Sequence, residues 1–383
     1  MDFIGSVLLF VSAIGTLCLF VAAIRLARTA PALNSAPHEP VTILKPLHGA
    51  EPQLLANLTS FIRQDYGAPV QLICGVQTVT DAAIPVVEAL RAAHPDADII
   101  LVVDPTVHGT NAKISNLINM IAQARHATLI LSDSDMAVRP DYLSQITGAL
   151  AAPGVGAVTC LYRGRGDAGG WSRLAAMNIS QHFLPSVVLG TVLGLATPCM
   201  GSTIALRRQT LDEIGGLAAF ADLLADDYAI GVAVRALTTD EQRGKVALPD
   251  MLLTHACSET SLKALIRQEL RWNRTIAGID PAGFVGSIVL HPFPIALIAA
   301  ALTRFAPLSI AGMGFALIAR TTIAVFADRG AGNRSGPLLW IPARDLLSFV
   351  LFVWTFFGRT VDWRGTAFTV DPTGRLSTHQ DKI

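Results

Sequence analysis

The stretch LILSDSDMAVRPDYL, residues 129–143, combines a predicted strand with a pair of acids, and the prediction of the fold class starts from it. Its first three residues are an apolar run that predicts a buried strand, and two acids, Asp133 and Asp135, follow at the carboxyl end of that strand. Carboxylates so close together repel each other and raise each other's pKa unless a cation lies between them. Because carboxylates and phosphate oxygens coordinate divalent metal ions together, the stretch predicts a metal–phosphate site at the end of a strand.

Similar strands occur on both sides of this stretch, with helical patterns between them. The short β-branched runs are PVTILKPL, PVQLICGVQ, DADIILVVD, ATLILSDSD and GVGAVTCLY. Strands that alternate with helices predict one α/β domain over residues 38–280, with a largely parallel sheet covered on both faces. In such sheets ligands bind beyond the carboxyl ends of the strands, where Asp133 and Asp135 are expected. The sequence contains neither GxGxxG nor GxxxxGK[ST], so it does not support a dinucleotide site or a P-loop.

The composition indicates a soluble domain held by membrane segments. The 383 residues are 51% hydrophobic and 15% charged, which is too apolar for an ordinary soluble protein and too charged for a pure membrane bundle. The net charge of zero gives no basic field for nucleic acid, so no nucleic-acid partner is expected. The five cysteines are scattered and lack CxxC spacing, which indicates buried thiols rather than a disulfide framework or a zinc site.

The amino-terminal segment, residues 3–24, carries no charge and is long enough to cross a bilayer as a helix. Arg25 and Arg28 follow directly and place the next domain on the cytoplasmic side by the positive-inside rule. We therefore expect residues 1–28 to form a transmembrane anchor. A cleaved signal peptide is the alternative, but it requires a positive start and a shorter apolar run, whereas this chain begins Met-Asp-Phe.

The carboxyl-terminal third contains three more apolar stretches, roughly 284–303, 305–326 and 337–357. Arg320 lies in the second, and Arg344 and Asp345 lie in the third. Because charges are costly inside a span, these residues should face protein, pair with each other or mark an interfacial segment. If all three stretches crossed, the tail 358–383 would be outside. Its basic residues favour the cytoplasm, so we expect one stretch to be re-entrant or interfacial; these residues are Arg359, Arg364, Arg375 and Lys382.

Three further polar groups fit a site for a nucleotide diphosphate sugar. They are Asp81 after the strand LICGVQ, the pair Asp226 and Asp227 at the start of a helical run, and Gln268-x-x-Arg271-Trp272 in RQELRW. A metal would neutralise the pyrophosphate, and an arginine would add contacts to its oxygens. An acid on the opposite side would serve as general base for an incoming hydroxyl.

In this order the motifs resemble inverting glycosyltransferases of the GT-A fold, and most closely the ceramide glucosyltransferase family. HGTNAKISNLINM resembles that family's Lys-Ile-x-Asn-Leu segment, and CMGSTIALRRQTLDEIGGLAAFADLLADDYAIG resembles the run before its catalytic acid. The resemblance covers about residues 38–280. PVTILKPLHGAEP and AVTCLYRG resemble the bacterial members associated with hopanoid biosynthesis. The family resemblance implies an α/β fold with a Rossmann-like GT-A domain that binds a nucleotide sugar. It also implies an N-terminal transmembrane helix and C-terminal membrane helices over 284–357.

The resemblance implies a role for each matched residue. Asp227 is the expected catalytic base, with Asp226 as the second choice. Asp133 and Asp135 should hold the sugar phosphate and Mg²⁺ or Mn²⁺, and Asp133 is the firmer of the two because the family's metal motif varies. The expected donor-binding residues are Asp81 near the uracil or ribose of UDP, Lys113, Asp133, His182, Gln268, Arg271 at the pyrophosphate and Trp272 at the donor–acceptor junction.

The implied activity is transfer of a sugar from a UDP-sugar to a membrane lipid by a multi-pass protein of the bacterial inner membrane, with its catalytic domain in the cytoplasm. The hopanoid-associated members imply N-acetylglucosamine transfer to bacteriohopanetetrol. A ceramide glucosyltransferase using UDP-glucose is the alternative. A processive polysaccharide synthase shares the Gln-x-x-Arg-Trp motif but needs a channel, for which three imperfect apolar stretches offer little. A non-enzymatic scaffold predicts losses among the acids, and the expected acids are all present.

Several of these residues could equally have purely structural roles. Asp81 could be a helix N-cap, Asp133 and Asp135 could be turn residues, and an acidic pair such as Asp226-Asp227 complements a helix dipole. Arg271 and Trp272 could anchor the chain at a membrane surface, since Arg and Trp favour the headgroup level. The apolar segment 183–198 is too short to span a bilayer. It predicts either a buried core helix or an apolar patch at the membrane surface that guides the lipid acceptor to Asp227.

Overall fold

The structure is a computed structural model that describes residues 3–28, 38–237 and 244–358, and the backbone of three short strands in the tail. The strands are β1 (Val41–Pro46), β2 (Val70–Val76), β3 (Asp98–Val103), β4 (Thr128–Leu131), β5 (Met136–Ala137), β6 (Val155–Thr159), β7 (Leu161–Gly166), β8 (Ile204–Arg207), β9 (Lys245–Ala247), β10 (Leu252–Cys257), β11 (Thr360–Trp363), β12 (Thr366–Val370) and β13 (Leu376–Thr378). The basic tail residues predicted to favour the cytoplasm lie outside the described residues: Arg359, Arg364, Arg375 and Lys382.

The helices alternate with the strands through the first two thirds of the chain and then follow one another. They are α1 (Phe3–Arg28), α2 (Leu54–Ile62), α3 (Ile84–Ala93), α4 (Ala112–Ile121), α5 (Tyr142–Leu150), α6 (Gly170–Asn178), α7 (Leu184–Val192), α8 (Arg208–Glu213), α9 (Asp226–Arg235), α10 (Leu262–Ile279), α11 (Pro281–Gly286), α12 (Pro292–Leu302), α13 (Pro307–Ala331) and α14 (Ile341–Thr355). A π-helical turn, Ile179–Phe183, joins α6 to α7.

The main sheet has the strand order β3-β2-β1-β4-β8-β6-β9. Its strands are parallel except β8, which runs antiparallel to both neighbours. Apolar side chains of α2, α3 and α5 cover one face, and those of α4 and α9 cover the other. This explains why β1 and β4 are apolar along almost their whole length and fully buried. The predicted α/β fold with a largely parallel sheet is confirmed.

The run GVGAVTCLY, predicted as one strand, is two strands in two sheets. β6 ends at Thr159 in the main sheet, and β7 begins at Leu161 in a small sheet of order β5-β10-β7. Cys160 between them is fully buried, so a local pattern of apolar residues could not reveal the change of sheet. The SDSD loop, residues 132–135, carries Asp133 and Asp135, and β5 follows it directly. In the small sheet β10 pairs antiparallel with β5. Because α10 follows β10 in the chain, this pairing places α10 at the same edge of the fold as the SDSD loop.

The apolar helices form a bundle in which α1 and α13 run parallel. A Cβ on Gly312 would lie 2.8 Å from Leu9, and a Cβ on Gly330 would lie 2.7 Å from the backbone of Leu26, so the two helices approach closely at both ends. By length and composition, the helices that could cross a membrane within the described residues are Phe3–Ala27, Pro307–Ala331 and Leu338–Thr355.

The first predicted carboxyl-terminal stretch is broken rather than straight. The segment Pro281–Leu290 meets Pro292–Leu302 at an angle of 68°. Proline has no N–H and clashes with the preceding turn, so Pro292 starts a new helix instead of continuing the old one. The hydroxyl of Ser12 in α1 donates a hydrogen bond to the carbonyl oxygen of Pro292 at 2.9 Å, which fixes the break about halfway along α1.

The charges inside the apolar stretches pair, as predicted. Arg320 of α13 lies 3.0 Å from Asp345 of α14, and both side chains are buried. Arg344 donates to Glu269 of α10 at 2.9 Å, again between buried side chains. This second ion pair holds α14 along α10. The segment that follows α14 also lies beside α10, since a Cβ on Gly358 would lie 2.8 Å from Arg274 of α10.

Candidate active site

The SDSD loop lies at the carboxyl end of β4, and the backbone of neighbouring elements fixes it. The N–H of Asp133 donates to the carbonyl of Gly201 at 3.1 Å. Lys45, at the end of β1, donates to the hydroxyl of Ser132 at 3.0 Å and to the carbonyl of Asp133 at 2.7 Å. Burial lowers the pKa of Lys45 to about 7, against the attraction of Asp135 and Asp133. Lys45 was not singled out from the sequence, although a lysine inside a buried apolar strand indicates a polar partner.

Lys113 joins two of the predicted acidic groups. Its ammonium lies 2.8 Å from a carboxylate oxygen of Asp133 and 3.3 Å from one of Asp226. Burial alone would lower the pKa of Lys113, but Asp133, Asp226 and Asp227 outweigh it and raise the pKa, so the side chain is a cation. Asn111, the N-cap of α4, donates to the other oxygen of Asp226 at 3.2 Å. Asp226 is therefore held between a cation and an amide.

Asp227, beside it at the start of α9, has a different environment. One carboxylate oxygen accepts a hydrogen bond from the N–H of Gly201 at 2.8 Å, and the other accepts one from the N–H of Tyr228 at 2.8 Å. Burial and the neighbouring Asp226 raise the pKa of Asp227 to about 6. A carboxylate that is fixed in orientation and has a pKa near neutral is suited to act as a general base.

Gly201 links the two halves of the site and was not singled out from the sequence. Its carbonyl accepts from Asp133 and its N–H donates to Asp227. A Cβ at this position would lie 2.6 Å from the ammonium of Lys113 and 2.7 Å from a carboxylate oxygen of Asp133. Only glycine therefore leaves space for the Lys113–Asp133 pair.

The Gln-x-x-Arg-Trp motif lies on α10, whose N-cap Ser261 accepts a hydrogen bond from the N–H of Ala264. Arg271 donates to Gln268 at 3.2 Å. Burial lowers the pKa of Arg271, whereas Asp133, Asp135 and Asp227 act to raise it, which places the guanidinium within reach of all three acids.

His255 lies between Trp272 and the acid Asp135. Its ring centre is 5.7 Å from that of His255 on β10, and the His255 Nδ1 is 3.4 Å from a carboxylate oxygen of Asp135. The β5–β10 pairing produces this contact between residues far apart in the sequence, and so His255 drew no functional interpretation there.

Asp135 has the character of a cation ligand. Burial and the neighbouring Asp133 raise its pKa to about 7, and its Oδ1 is buried without a hydrogen-bond partner in the described part of the chain. Within the described residues no three His, Cys, Asp or Glu side chains are placed to hold a metal by themselves. Mg²⁺ is commonly bound by one or two carboxylates plus substrate phosphates, and Asp133 and Asp135 fit that arrangement.

Asp81 lies outside the Lys113 cluster, at the end of β2. One of its oxygens accepts from the N–H groups of Gly49 and Ala83, both at 2.8 Å. The N-cap residue of α3 is Ala83, and Asp81 accepts the N–H of that residue, so its side chain also supports the start of the helix. Through Gly49 and Ala83, Asp81 joins the loops that follow β1 and β2, at the edge of the sheet where the SDSD loop also lies. Its donor role stays a prediction.

His182 lies in a different cluster. Its Nε2 is 3.1 Å from the carbonyl oxygen of Leu290, and its ring packs on that of His291 at 4.8 Å between centres. Burial and the nearby Arg320 lower the pKa of His182 to about 3, so the ring is neutral. Among the described residues no contact joins His182 to the acids, and its donor-binding role stays a prediction that rests on the resemblance.

The chain matches proteins that transfer sugars. The family model for glycosyl transferase family 21 matches residues 7–376. Ceramide glucosyltransferase 1 of Caenorhabditis elegans is 27% identical over 195 residues, and Ceramide glucosyltransferase 3 of the same organism is 28% identical over 205 residues. These matches cover about half of this chain (51% and 50%) and 41% of each relative.

A solved structure shares the fold. The mannosyltransferase PcManGT from Pyrobaculum calidifontis, in complex with GDP-Man and Mn²⁺, has a TM-score of 0.51 and 20% sequence identity, and the match covers 92% of this chain and 96% of that one. The family model spans almost the whole chain, including the apolar helices at both ends. The chain therefore belongs to glycosyl transferase family 21.

Proposed function

We propose that the protein transfers a sugar from a UDP-sugar to the hydroxyl of a membrane lipid, with inversion at the anomeric carbon. The observation that carries the proposal is the contact network around Gly201. It joins the SDSD loop, Lys113 and the carboxylate of Asp227, which accepts from the N–H of Gly201, within hydrogen-bond distances. A diphosphate site and a separate candidate base are thus held in one rigid unit, at the edge of the sheet where ligands of α/β folds bind.

On the donor side, the cations Lys113 and Arg271 meet the negative charge of the diphosphate, and Asp81 takes the nucleoside. Asp133 and Asp135 would hold Mg²⁺ or Mn²⁺, with the unpartnered Oδ1 of Asp135 as the clearest ligand atom. When bound, the ion supplies neutralisation of the diphosphate charge. The Mn²⁺ in the mannosyltransferase complex supports this expectation.

On the acceptor side, Asp227 takes the proton of the lipid hydroxyl as its oxygen attacks the anomeric carbon. The bond between that carbon and the diphosphate oxygen breaks on the opposite face, and UDP leaves with the bonding electrons. An α-linked donor then yields a β-glycoside. Lys113 and Arg271 stabilise the negative charge that develops on the leaving group, and Gly201 and Tyr228 keep the base oriented.

For the finer specificity we propose N-acetylglucosamine as the sugar and bacteriohopanetetrol as the acceptor, in the inner membrane of a bacterium with the α/β domain in the cytoplasm. The support is the resemblance of PVTILKPLHGAEP and AVTCLYRG to hopanoid-associated members, and Arg25 and Arg28 after the first apolar helix. Glucose transfer to ceramide is the second candidate, and the names of the Caenorhabditis relatives favour it.

The test is a reaction of purified protein in detergent with Mg²⁺ or Mn²⁺. UDP-glucose and UDP-N-acetylglucosamine are each combined with bacteriohopanetetrol and with ceramide, and lipid products are read by mass. Hexosamine on the hopanoid supports the full proposal, and glucosylated ceramide keeps the mechanism but replaces both substrates. Absence of any glycolipid, with UDP still bound, contradicts lipid transfer.

Two variants accompany the wild type. Asp227→Asn removes the base and should lower the rate about 10²- to 10⁴-fold while UDP-sugar binding persists. Asp96→Asn makes the same chemical change at an exposed site and should have no effect. Full activity of the Asp227 variant would exclude it as the base.

A further inference from the structure

A second group of polar side chains lies beside the acids, and the mechanism above does not use it. Two of its atoms are buried without a hydrogen-bond partner among the described residues: His255 Nδ1 and Glu259 Oε2. His255 and Glu259 are 5% and 7% exposed. Buried polar atoms are nearly always hydrogen-bonded in folded proteins, because water no longer satisfies them, and each exception has a physical cause.

His255 lies beside the two acids of the loop after β4. His255 Nδ1 is 3.4 Å from a carboxylate oxygen of Asp135, and β10 carries His255 opposite Met136, next to the SDSD loop. Glu259 follows shortly after the end of β10. Burial raises the pKa of Glu259, with smaller effects from His255 and Asp135, which places its carboxyl within electrostatic reach of both.

Aromatic rings flank this group. The ring of His255 lies 5.6 Å from Tyr162 and 5.7 Å from Trp272, measured between centres. Ligand sites combine apolar and aromatic walls with a few fixed polar groups that set orientation. A carboxylate that accepts, a neutral imidazole and two aromatic faces are suited to a molecule that carries hydroxyl groups on a carbon framework.

Neither a metal held by protein side chains nor an ion pair between His255 and Glu259 accounts for the two atoms. No three acidic, histidine or cysteine side chains in the described part of the chain are placed to hold an ion, so His255 and Glu259 do not complete a metal site with Asp135. An internal pair between His255 and Glu259 would have satisfied both atoms, yet both are without a hydrogen-bond partner among the described residues. A ligand with hydroxyl groups satisfies both atoms.

We propose that His255 and Glu259, beside Asp135 and Trp272, form a subsite that binds the hydroxyl groups of a sugar or polyol. The inference rests on the proposed function, in which such hydroxyls come from two sources, the donor sugar and the acceptor head group. Bound hydroxyls donate to Glu259 Oε2 and share a hydrogen bond with His255 Nδ1. The subsite is thus a determinant of which sugar or which head group is accepted.

The experiment compares His255→Phe and Glu259→Met with Glu213→Met, which makes the matched change on an exposed surface. Calorimetry gives the affinity for UDP and for UDP-sugar, initial rates give the acceptor KM, and thermal unfolding in detergent gives Tm. Hydrogen bonds to a charged group support a loss of about ten- to a hundredfold in one ligand's affinity. UDP affinity should not change, because UDP carries no transferred sugar.

The outcome identifies the source of the hydroxyls. If UDP-sugar binding weakens while UDP binding does not, the subsite holds the donor sugar. If UDP-sugar binding is unchanged and the acceptor KM rises, the subsite holds the acceptor head group. In both cases Tm should stay level or rise, because an unpartnered buried polar group has been removed.

Two results overturn the inference. One is unchanged UDP-sugar affinity together with unchanged acceptor KM. The other is a fall of Tm with a parallel loss of UDP binding, which indicates a structural role. If the wild type binds UDP-sugar but glycosylates no lipid, the proposed function fails, and the comparison of UDP with UDP-sugar still decides whether the subsite exists for the donor sugar.

Discussion

The Asp227 carboxylate has a pKa raised to about 6 by burial and by the neighbouring Asp226, and this has a kinetic consequence. A general base works only when deprotonated. We expect kcat/KM to fall about tenfold per pH unit below about pH 6 and to level off above it. The measurement uses saturating Mg²⁺, which at the proposed metal site would keep Asp135 deprotonated. A rate profile that is flat through pH 5 would contradict the role of Asp227.

Gly201 offers a test of the geometry rather than of the chemistry. In Gly201→Ala the new methyl must displace Lys113 or Asp133, since it would lie under 3 Å from both. Misplacement of a positioning group by about 1 Å can cost about a hundredfold in rate, so we expect a loss of that order in kcat. Gly278→Ala, on α10 with open space around its Cβ position, is the matched control and should retain activity. Equal activities of the two variants would contradict the role assigned to Gly201.

At the residue level the sequence predicted where the acids lie, after a strand and at the start of a helix, but not the residues that contact them. Asp133, Asp135 and Asp227 could be recognised because acids after a strand or before a helix are local patterns. Lys45, Gly201 and His255 could not, because their contacts arise from pairings between distant segments. For Lys113 the sequence suggested a phosphate ligand, and the structure adds that it also neutralises Asp226.

Among the elements, α10 and α14 depend on the buried pair between Glu269 and Arg344. Glu269→Ala leaves a buried guanidinium unpaired and should lower the free energy of unfolding by about 3–5 kcal/mol. Activity should fall as well, because Arg271 lies on the same helix. Thermal unfolding in detergent measures the first effect. Glu88→Ala breaks an exposed pair with Arg91 on α3, worth only about 0–1 kcal/mol, and is the matched control.

The α7–β8 connection decides between the two predictions for the apolar segment 183–198. The first turn of α7 is buried, but Val192, Leu193 and Leu195 are 50%, 57% and 74% exposed. A buried core helix does not expose such side chains, which favours an apolar patch at the membrane surface.

A fluorescence experiment tests the position of this connection. Trp at position 195 (Leu195→Trp) should be quenched by brominated lipids in reconstituted bilayers. Val107→Trp, at an apolar position that is 71% exposed on the α/β domain, should not be quenched. Equal quenching of the two variants would place the connection away from the membrane.

For the whole molecule, the helix directions determine the topology. The carboxyl ends of α1 and α13 both lead to the α/β domain, and the two helices are parallel. If α1 and α13 both cross the membrane, the segment before α13 starts on the opposite side, and we expect the bent pair α11–α12 to cross. The helix α14 lies along α10, which favours an interfacial third stretch and a tail beside the α/β domain. The sequence could predict the conflict between tail charge and span count, but the parallel packing that resolves it depends on tertiary contacts.

Single cysteines in a cysteine-free background test this topology. Arg334→Cys, after α13, should react with a membrane-impermeant maleimide only when the cytoplasmic face is open. Arg304→Cys, between α12 and α13, should react in intact cells. Labelling of both positions from the cytoplasmic side would mean that neither the bent pair nor α13 crosses, and would contradict this topology.

If the acceptor is a membrane lipid, as proposed, the break at Pro292, about halfway along α1, also bears on how it reaches Asp227. In one half of the bundle α12 packs beside α1 and α13, whereas in the other half the α7 residue Leu189 packs beside Leu19 and Ile323. In the half of the bundle nearer the active site, part of the surface that faces the membrane is thus formed by α7 of the α/β domain. An acceptor can approach by lateral diffusion without leaving its leaflet. The rate then follows surface-dilution kinetics: it depends on the mole fraction of acceptor in that monolayer and falls when inert lipid is added at constant total acceptor.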